Sequence, residues 1–124
     1  MEQIETVYEK SERFSVRIVN LYKYLVDEKK EFTLSKQILR SGTSILANLS
    51  EAECAISKND WLAKVYIALK ECSETLSWLR VLAKTGFITQ KAFDSIYADC
   101  CEIKRMLSSS TKTARNKISN IRPK

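Results

Sequence analysis

The chain has no histidine, only two glycines and only one proline in 124 residues. Without an imidazole there is no Ser-His-Asp triad and no Cys-His dyad. The paired Glu-x-x-His motifs of a di-iron bundle are excluded for the same reason. No Gly-rich phosphate loop is present. All-β and α/β chains need turn glycines and prolines, whereas a helical bundle with short loops needs few. The single proline, Pro123, is next to last. No apolar run approaches the roughly 18 residues of a membrane span. The first ten residues, MEQIETVYEK, are too acidic and too polar for a signal peptide. The four cysteines, Cys54, Cys72, Cys100 and Cys101, include no CxxC pair. A zinc site would need an all-thiolate set scattered over several helices. Neither a catalytic residue, a metal nor a cofactor is expected, and reduced thiols suit the cytoplasm.

What is present is ordinary for one soluble domain: 44% hydrophobic and 29% charged residues. Apolar residues recur at helical spacing in four stretches. Phe14, Ile18, Leu21 and Leu25 form one face, with Val7 a heptad earlier, and Ser11 is the expected N-cap. Leu34, Ile38, Ile45, Leu49 and Ala52 form a second face, after Thr33 as N-cap. Ser57 and Asp60 resemble a capping box. From there Leu62, Val65, Leu69, Cys72, Leu76, Leu79 and Ala83 alternate steps of three and four. Trp61, Ala68, Thr75 and Leu82 make a parallel row at heptad spacing, so this helix faces more than one neighbour. Thr85-Gly86 closes it, with Gly86 in the C′ role and Phe87 and Ile88 under the turn. Thr89 caps a fourth helix whose face is Phe93, Ile96, Cys100, Ile103, Leu107 and Ala114. After Leu107 the run Ser108 to Thr113 turns polar, which predicts fraying toward the basic tail. The expected helices are about 11–29, 34–55, 58–85 and 90–116, in an all-α, antiparallel up-down-up-down four-helix bundle.

The second helix is unusual in its middle, where Ser41, Gly42, Thr43, Ser44, Ala47 and Asn48 are small or polar. Glycine inside a helix costs about 1 kcal/mol relative to alanine. No second glycine or proline closes a turn there. The helix is therefore expected to run through Gly42, with another backbone lying close. Arg40, Ser44, Ala47 and Glu51 share the face opposite the core, open to solvent or to a neighbouring subunit. Trp78 falls outside both apolar rows of the third helix, as a partly covered surface residue or as an oligomer contact. Glu71 and Glu74 are expected to pair with Lys70 or Lys64.

The net charge is +6, and five of the excess cations lie in the tail 112–124: Lys112, Arg115, Lys117, Arg122 and Lys124, with no acid among them. Such a tail binds phosphates or an anionic surface, or is simply a solvated end. In an up-down bundle the start of helix one lies beside the end of helix four. Arg13 and Arg17 would then join Lys112, Arg115 and Lys117 in a phosphate-binding strip for RNA or DNA, with salt-dependent affinity. Tyr22, Tyr24, Tyr66 and Trp78 are aromatic candidates for stacking on unpaired bases, or belong to the core and interfaces.

The run Gln37-Ile38-Leu39-Arg40-Ser41-Gly42-Thr43-Ser44-Ile45-Leu46-Ala47-Asn48-Leu49-Ser50-Glu51-Ala52 resembles the signature of a bacterial four-helix-bundle family. That family includes the 23S rRNA-intervening-sequence proteins. The resemblance continues through Ser57-Lys58-Asn59-Asp60-Trp61, Ala68-Leu69-Lys70-Glu71, Glu74-Thr75-Leu76 and Thr85-Gly86-Phe87-Ile88. Leu46 stands where proline is common and Ala52 where glycine is common, which sets the chain in the broader four-helix-bundle group. The resemblance implies a homopentamer around a central channel. It also implies kinship with the accessory proteins of diversity-generating retroelements, which bind nucleic acid and a reverse transcriptase. It gives Arg40, Ser44, Asn48, Glu51 and Trp78 weight as an inter-subunit or functional face. The expected function is a non-enzymatic scaffold that binds nucleic acid by charge. The alternative is a module that binds a neighbouring protein through the Arg40/Glu51 face or the channel mouth, with no direct nucleic-acid role.

Overall fold

Four helices and no strand make up the computed structural model, which describes residues 5–121 and their side chains as far as 117. They are α1 (Val7–Asp27), α2 (Leu34–Glu53), α3 (Lys58–Lys84) and α4 (Gln90–Ile121). Each packs on two others: α1 and α3 both lie against α2 and α4.

The ends follow local chemistry, and some of them differ from expectation. Thr6, not Ser11, caps α1: its Oγ1 accepts from the Glu9 N–H at 3.0 Å. Ser11 lies a turn inside the helix, fully buried, and its hydroxyl donates to Val7 O at 2.8 Å. α1 stops at Asp27, and Lys30 just beyond it takes a left-handed φ of 52°. α4 continues to Ile121, beyond the expected end near residue 116 and the fraying expected toward the tail. Its hydroxyls bond back along the helix, Ser110 to Met106 O, Thr111 to Ser108 O and Thr113 to Ser109 O. Thr111 is also buried, so packing outweighs the weak helix propensity of this run. Arg122 and Lys124 of the basic tail lie outside the described residues.

The α3 signals are as expected. Ser57 Oγ accepts from Asp60 N–H at 3.0 Å, and the Asp60 carboxylate accepts from Ile56 N–H at 3.2 Å. At the other end Gly86 has φ +83°. Its N–H reaches Ala83 O, and Phe87 N–H reaches Leu82 O, which is a Schellman closure. Ile88 is buried beneath it.

α2 starts differently. Thr33 occupies the cap position but its side chain makes no cap bond. Glu31 substitutes: its Oε1 accepts from Thr33 N–H at 3.0 Å and Ser35 N–H at 2.8 Å. Partial burial of Glu31 opposes ionisation, yet the hydrogen bonds from Ser35, Leu34 and Thr33 outweigh it and hold the carboxyl below its ordinary value. A depressed carboxylate contributes stability above its unfolded pKa, and loses it as pH falls through the folded one. Glu31→Ala should therefore cost about 0.5–1 kcal/mol at neutral pH. The cost should shrink as pH falls below the ordinary carboxylate range; urea unfolding at pH 7 and at successively more acid pH checks this.

The core is continuous. Phe14, Ile18 and Leu25 of α1 meet Ile38, Ile45 and Leu49 of α2, both rows of α3, and Ile96, Cys100, Ile103 and Leu107 of α4. In the second row of α3, Ala68, Thr75 and Leu82 are fully buried and Trp61 partly so. Gly42 is mid-helix and buried, and a Cβ there would lie 2.8 Å from both Cγ1 and Cγ2 of Ile18. What presses on Gly42 is thus the Ile18 side chain of α1, not the backbone expected there. Buried nearby, Thr75 Oγ1 lies 3.0 Å from Ser41 Oγ, a polar link between α2 and α3, and 2.7 Å from Glu71 O one turn back. Cys72 and Cys100 are buried, and the Cys100 Sγ donates to Cys72 O at 3.7 Å. Contact with Cys72 and burial push the Cys100 thiol far up, so it stays protonated.

Candidate functional site

The expected cationic strip divides into two parts. On α1 the cations are matched by acids. Arg13 makes two 3.0 Å bonds to the Glu5 carboxylate, and this pairing raises its pKa further. Arg17 Nη1 meets Asp99 Oδ2 at 2.5 Å, and its Nη2 reaches Ser95 Oγ at 3.0 Å. Lys10 reaches Glu102 at 2.7 Å. The α1–α4 seam is therefore a ladder of ion pairs.

The α4 cations are placed elsewhere. Lys112 is thirteen residues beyond Asp99, or about 20 Å along the helix at 1.5 Å per residue. Lys112, Arg115 and Lys117 are exposed, and none has a carboxylate partner among the described residues. The Arg115 guanidinium lies 5.9 Å from the Tyr66 ring centroid on α3. No acid follows Glu102 in the sequence, and Lys104 and Arg105 extend the same bias. Of the expected strip, the structure brings Lys112, Arg115 and Lys117 onto one helix end and leaves Arg13 and Arg17 apart from them.

Beside that end is an open cleft of about 670 Å³ between the starts of α1 and α3 and the last turns of α4. Val7, Trp61, Met106 and Ala114 give it apolar walls, and Lys117 reaches it from α4. Sequence periodicity did not indicate it. Its signal was the serine–threonine run after Leu107, which forms one wall rather than a frayed end.

The polar face of α2 forms a second cluster. Arg40 bridges to α3, pairing with Glu71 at 3.5 Å and with Glu74. Glu74 also accepts from Trp78 Nε1 at 3.1 Å. Glu71 and Glu74 thus pair with Arg40, not with Lys70 or Lys64. Lys64 instead reaches Glu51 at 3.4 Å. The contact crosses between helices, which spacing within one helix does not encode. Ser44 donates to Arg40 O at 2.6 Å and Asn48 to Ser44 O at 2.8 Å, so both satisfy themselves within α2. Trp78 is half-buried against the core. Among the described residues no cluster of three acids, cysteines or histidines is placed to hold a metal. No helix is long and apolar enough to cross a membrane.

Known proteins resemble this arrangement along nearly its whole length. Residues 4–109 match the family model described as 23S rRNA-intervening sequence protein. A crystal structure of a protein of unknown function from the S23 ribosomal protein family, from Bacteroides thetaiotaomicron, shares 55% identity. That similarity covers 86% of this chain and 99% of the other, with a TM-score of 0.86. No curated protein matches. The RSGTS run around Gly42 and the helices it packs against lie inside the matched span, and the chain belongs to the 23S rRNA-intervening sequence protein family.

Proposed function

We propose that the protein is a non-enzymatic, oligomeric scaffold that binds RNA or DNA through phosphate contacts. The observation that carries this is the cluster Lys112, Arg115 and Lys117, exposed on an ordered helix and without carboxylate partners among the described residues. Unpaired cations on a rigid rod keep their full attraction for phosphate, whereas the paired Arg13 and Arg17 would have to leave Glu5 and Asp99 first. The last turns of α4 therefore lead, and the α1 arginines are secondary.

The bundle is antiparallel in this reading. Contacts of Tyr8 with Ser50, of Ser41 with Thr75 and of Arg80 with Tyr97 support it, together with the short loops. Copies associate as a homopentamer through the Arg40, Ser44, Asn48, Glu51 and Trp78 face, which repeats one cationic end several times and multiplies avidity. The protein works in the cytoplasm. A reverse transcriptase or another neighbouring protein is a candidate partner at the channel mouth, since the subunit contact occupies the α2 face.

Binding of mixed-sequence RNA measured from low to moderate salt tests the proposal. Affinity should fall steeply as salt rises. For single strands each phosphate contact adds about 0.7 to the slope of log K against log salt. The triple variant Lys112→Ala, Arg115→Ala, Lys117→Ala should flatten that slope by about 2 per protomer engaged. An absence of binding at low salt, or a slope the triple variant leaves alone, rejects the proposal.

A further inference from the structure

We infer that the cleft between α1, α3 and α4 receives one unpaired nucleotide of the bound strand, which makes the protein a reader of single-stranded rather than duplex nucleic acid. This rests on the nucleic-acid reading above and adds a site to it.

Three observations carry the inference. First, at about 670 Å³ the cleft lies within the range of small-ligand sites. Second, its described lining contains two lysines and no acid. Lys58 enters from the first turn of α3 and Lys117 from the end of α4. Third, the remaining lining pairs an aromatic and apolar surface with hydroxyls, the mixture a nucleotide presents. Trp61 stands three residues after Lys58, hence on the same face of α3. Across from it, Ser109, Thr113 and Lys117 succeed one another at steps of four along α4, with Met106 one turn earlier.

These groups match the parts of one nucleotide. A base offers a flat apolar face to Trp61 and Met106. Its edge and its sugar offer donors and acceptors to Ser109 and Thr113. Its phosphates carry the charge that Lys58 and Lys117 lack a protein partner for among the described residues. Lys112 and Arg115 stand on the other side of α4 and add only to the overall positive charge around its end. A base within a duplex is stacked on both faces and cannot enter without unpairing, so the cleft separates single strands from duplexes by geometry.

The test compares an unstructured single-stranded oligonucleotide with a fully paired hairpin of equal length, at one salt concentration. The single strand should bind about tenfold tighter, the contribution of one stacked base. Ser109→Phe fills the mouth of the cleft without touching charge or core, and should lower single-strand affinity to that of the hairpin. Trp61→Phe keeps the core packing and should give an intermediate loss. In a Trp78→Phe background the emission of Trp61 should be quenched by the single strand and not by the hairpin. Equal affinity for both forms in the unmodified protein, or a preference that survives Ser109→Phe, overturns the cleft assignment while leaving charge-driven binding intact. Failure of both forms to bind overturns the function and the cleft together. Quenching by adenosine monophosphate at concentrations where the strand has no effect overturns the strand assignment in favour of a free nucleotide.

Discussion

Gly42→Val should destabilise the fold by about 3 kcal/mol, the upper end of over-packing costs. The reason is local. A Cβ at position 42 would lie 2.8 Å from Cγ1, 2.8 Å from Cγ2 and 3.0 Å from Cδ1 of Ile18. Ile18 has no room to yield: it is fully buried, and as a β-branched residue it is stiff at χ1. The first two atoms are attached directly to its Cβ, so rotating the end of the side chain does not clear them. Gly42→Ala is milder, because alanine's better helix propensity returns about 1 kcal/mol. Equilibrium unfolding in urea measures both variants. A cycle separates the clash from any general dislike of side chains at this position. Ile18→Ala alone should cost about 2–5 kcal/mol through the cavity it leaves. In that background Gly42→Ala should become stabilising, since the colliding carbons are gone and the propensity gain remains. The same sign for Gly42→Ala in both backgrounds would show that Ile18 is not what demands glycine.

That glycine was legible in the sequence because a helix former's pattern continued on both sides of it and no turn residues followed. The α3 seam was legible for a related reason: steps of three and four persisted over the helix without a break. Both signals live within one helix. What the sequence did not yield lies between helices. Arg40 meets Glu71 and Glu74, and Arg17 meets Asp99, because of how the rods slide past each other. Periodicity assigns a residue to a face but not to a height on the neighbouring rod. The division of the basic strip is the same failure, since it depends on which acids of α4 stand opposite α1. The α4 extension was missed for a different reason. Serine and threonine weaken an isolated helix, but here burial of Thr111 and hydroxyl bonds to the preceding turn hold it. The cleft is lined by these serine- and threonine-rich turns, so its wall was read as a loose end.

The second large effect belongs to the α3 seam. Leu79→Ala should cost about 2–5 kcal/mol, because Leu79 is fully buried at the centre of the core and its loss leaves a cavity. Two residues on, Val81 is 37% exposed, and Val81→Ala should cost under about 0.5 kcal/mol within one chain. The contrast becomes informative when protein concentration is varied. The Leu79→Ala loss comes from within the bundle, so the difference from the parent protein should hold at every concentration. Val81 and Ile67, also 37% exposed, share α3 with the Glu74–Trp78 pair. If copies associate across that helix, folding is coupled to assembly, and the apparent stability of the parent protein should rise with concentration by mass action. Val81→Glu would then place a charge in the contact, removing the concentration dependence while leaving the stability of the dilute chain nearly unchanged. Unfolding followed at two concentrations a hundredfold apart, with sedimentation of the same samples, decides the matter. A concentration dependence that Val81→Glu leaves intact moves the subunit contact off this helix, and a parent protein whose stability ignores concentration removes the proposed assembly as a source of stability.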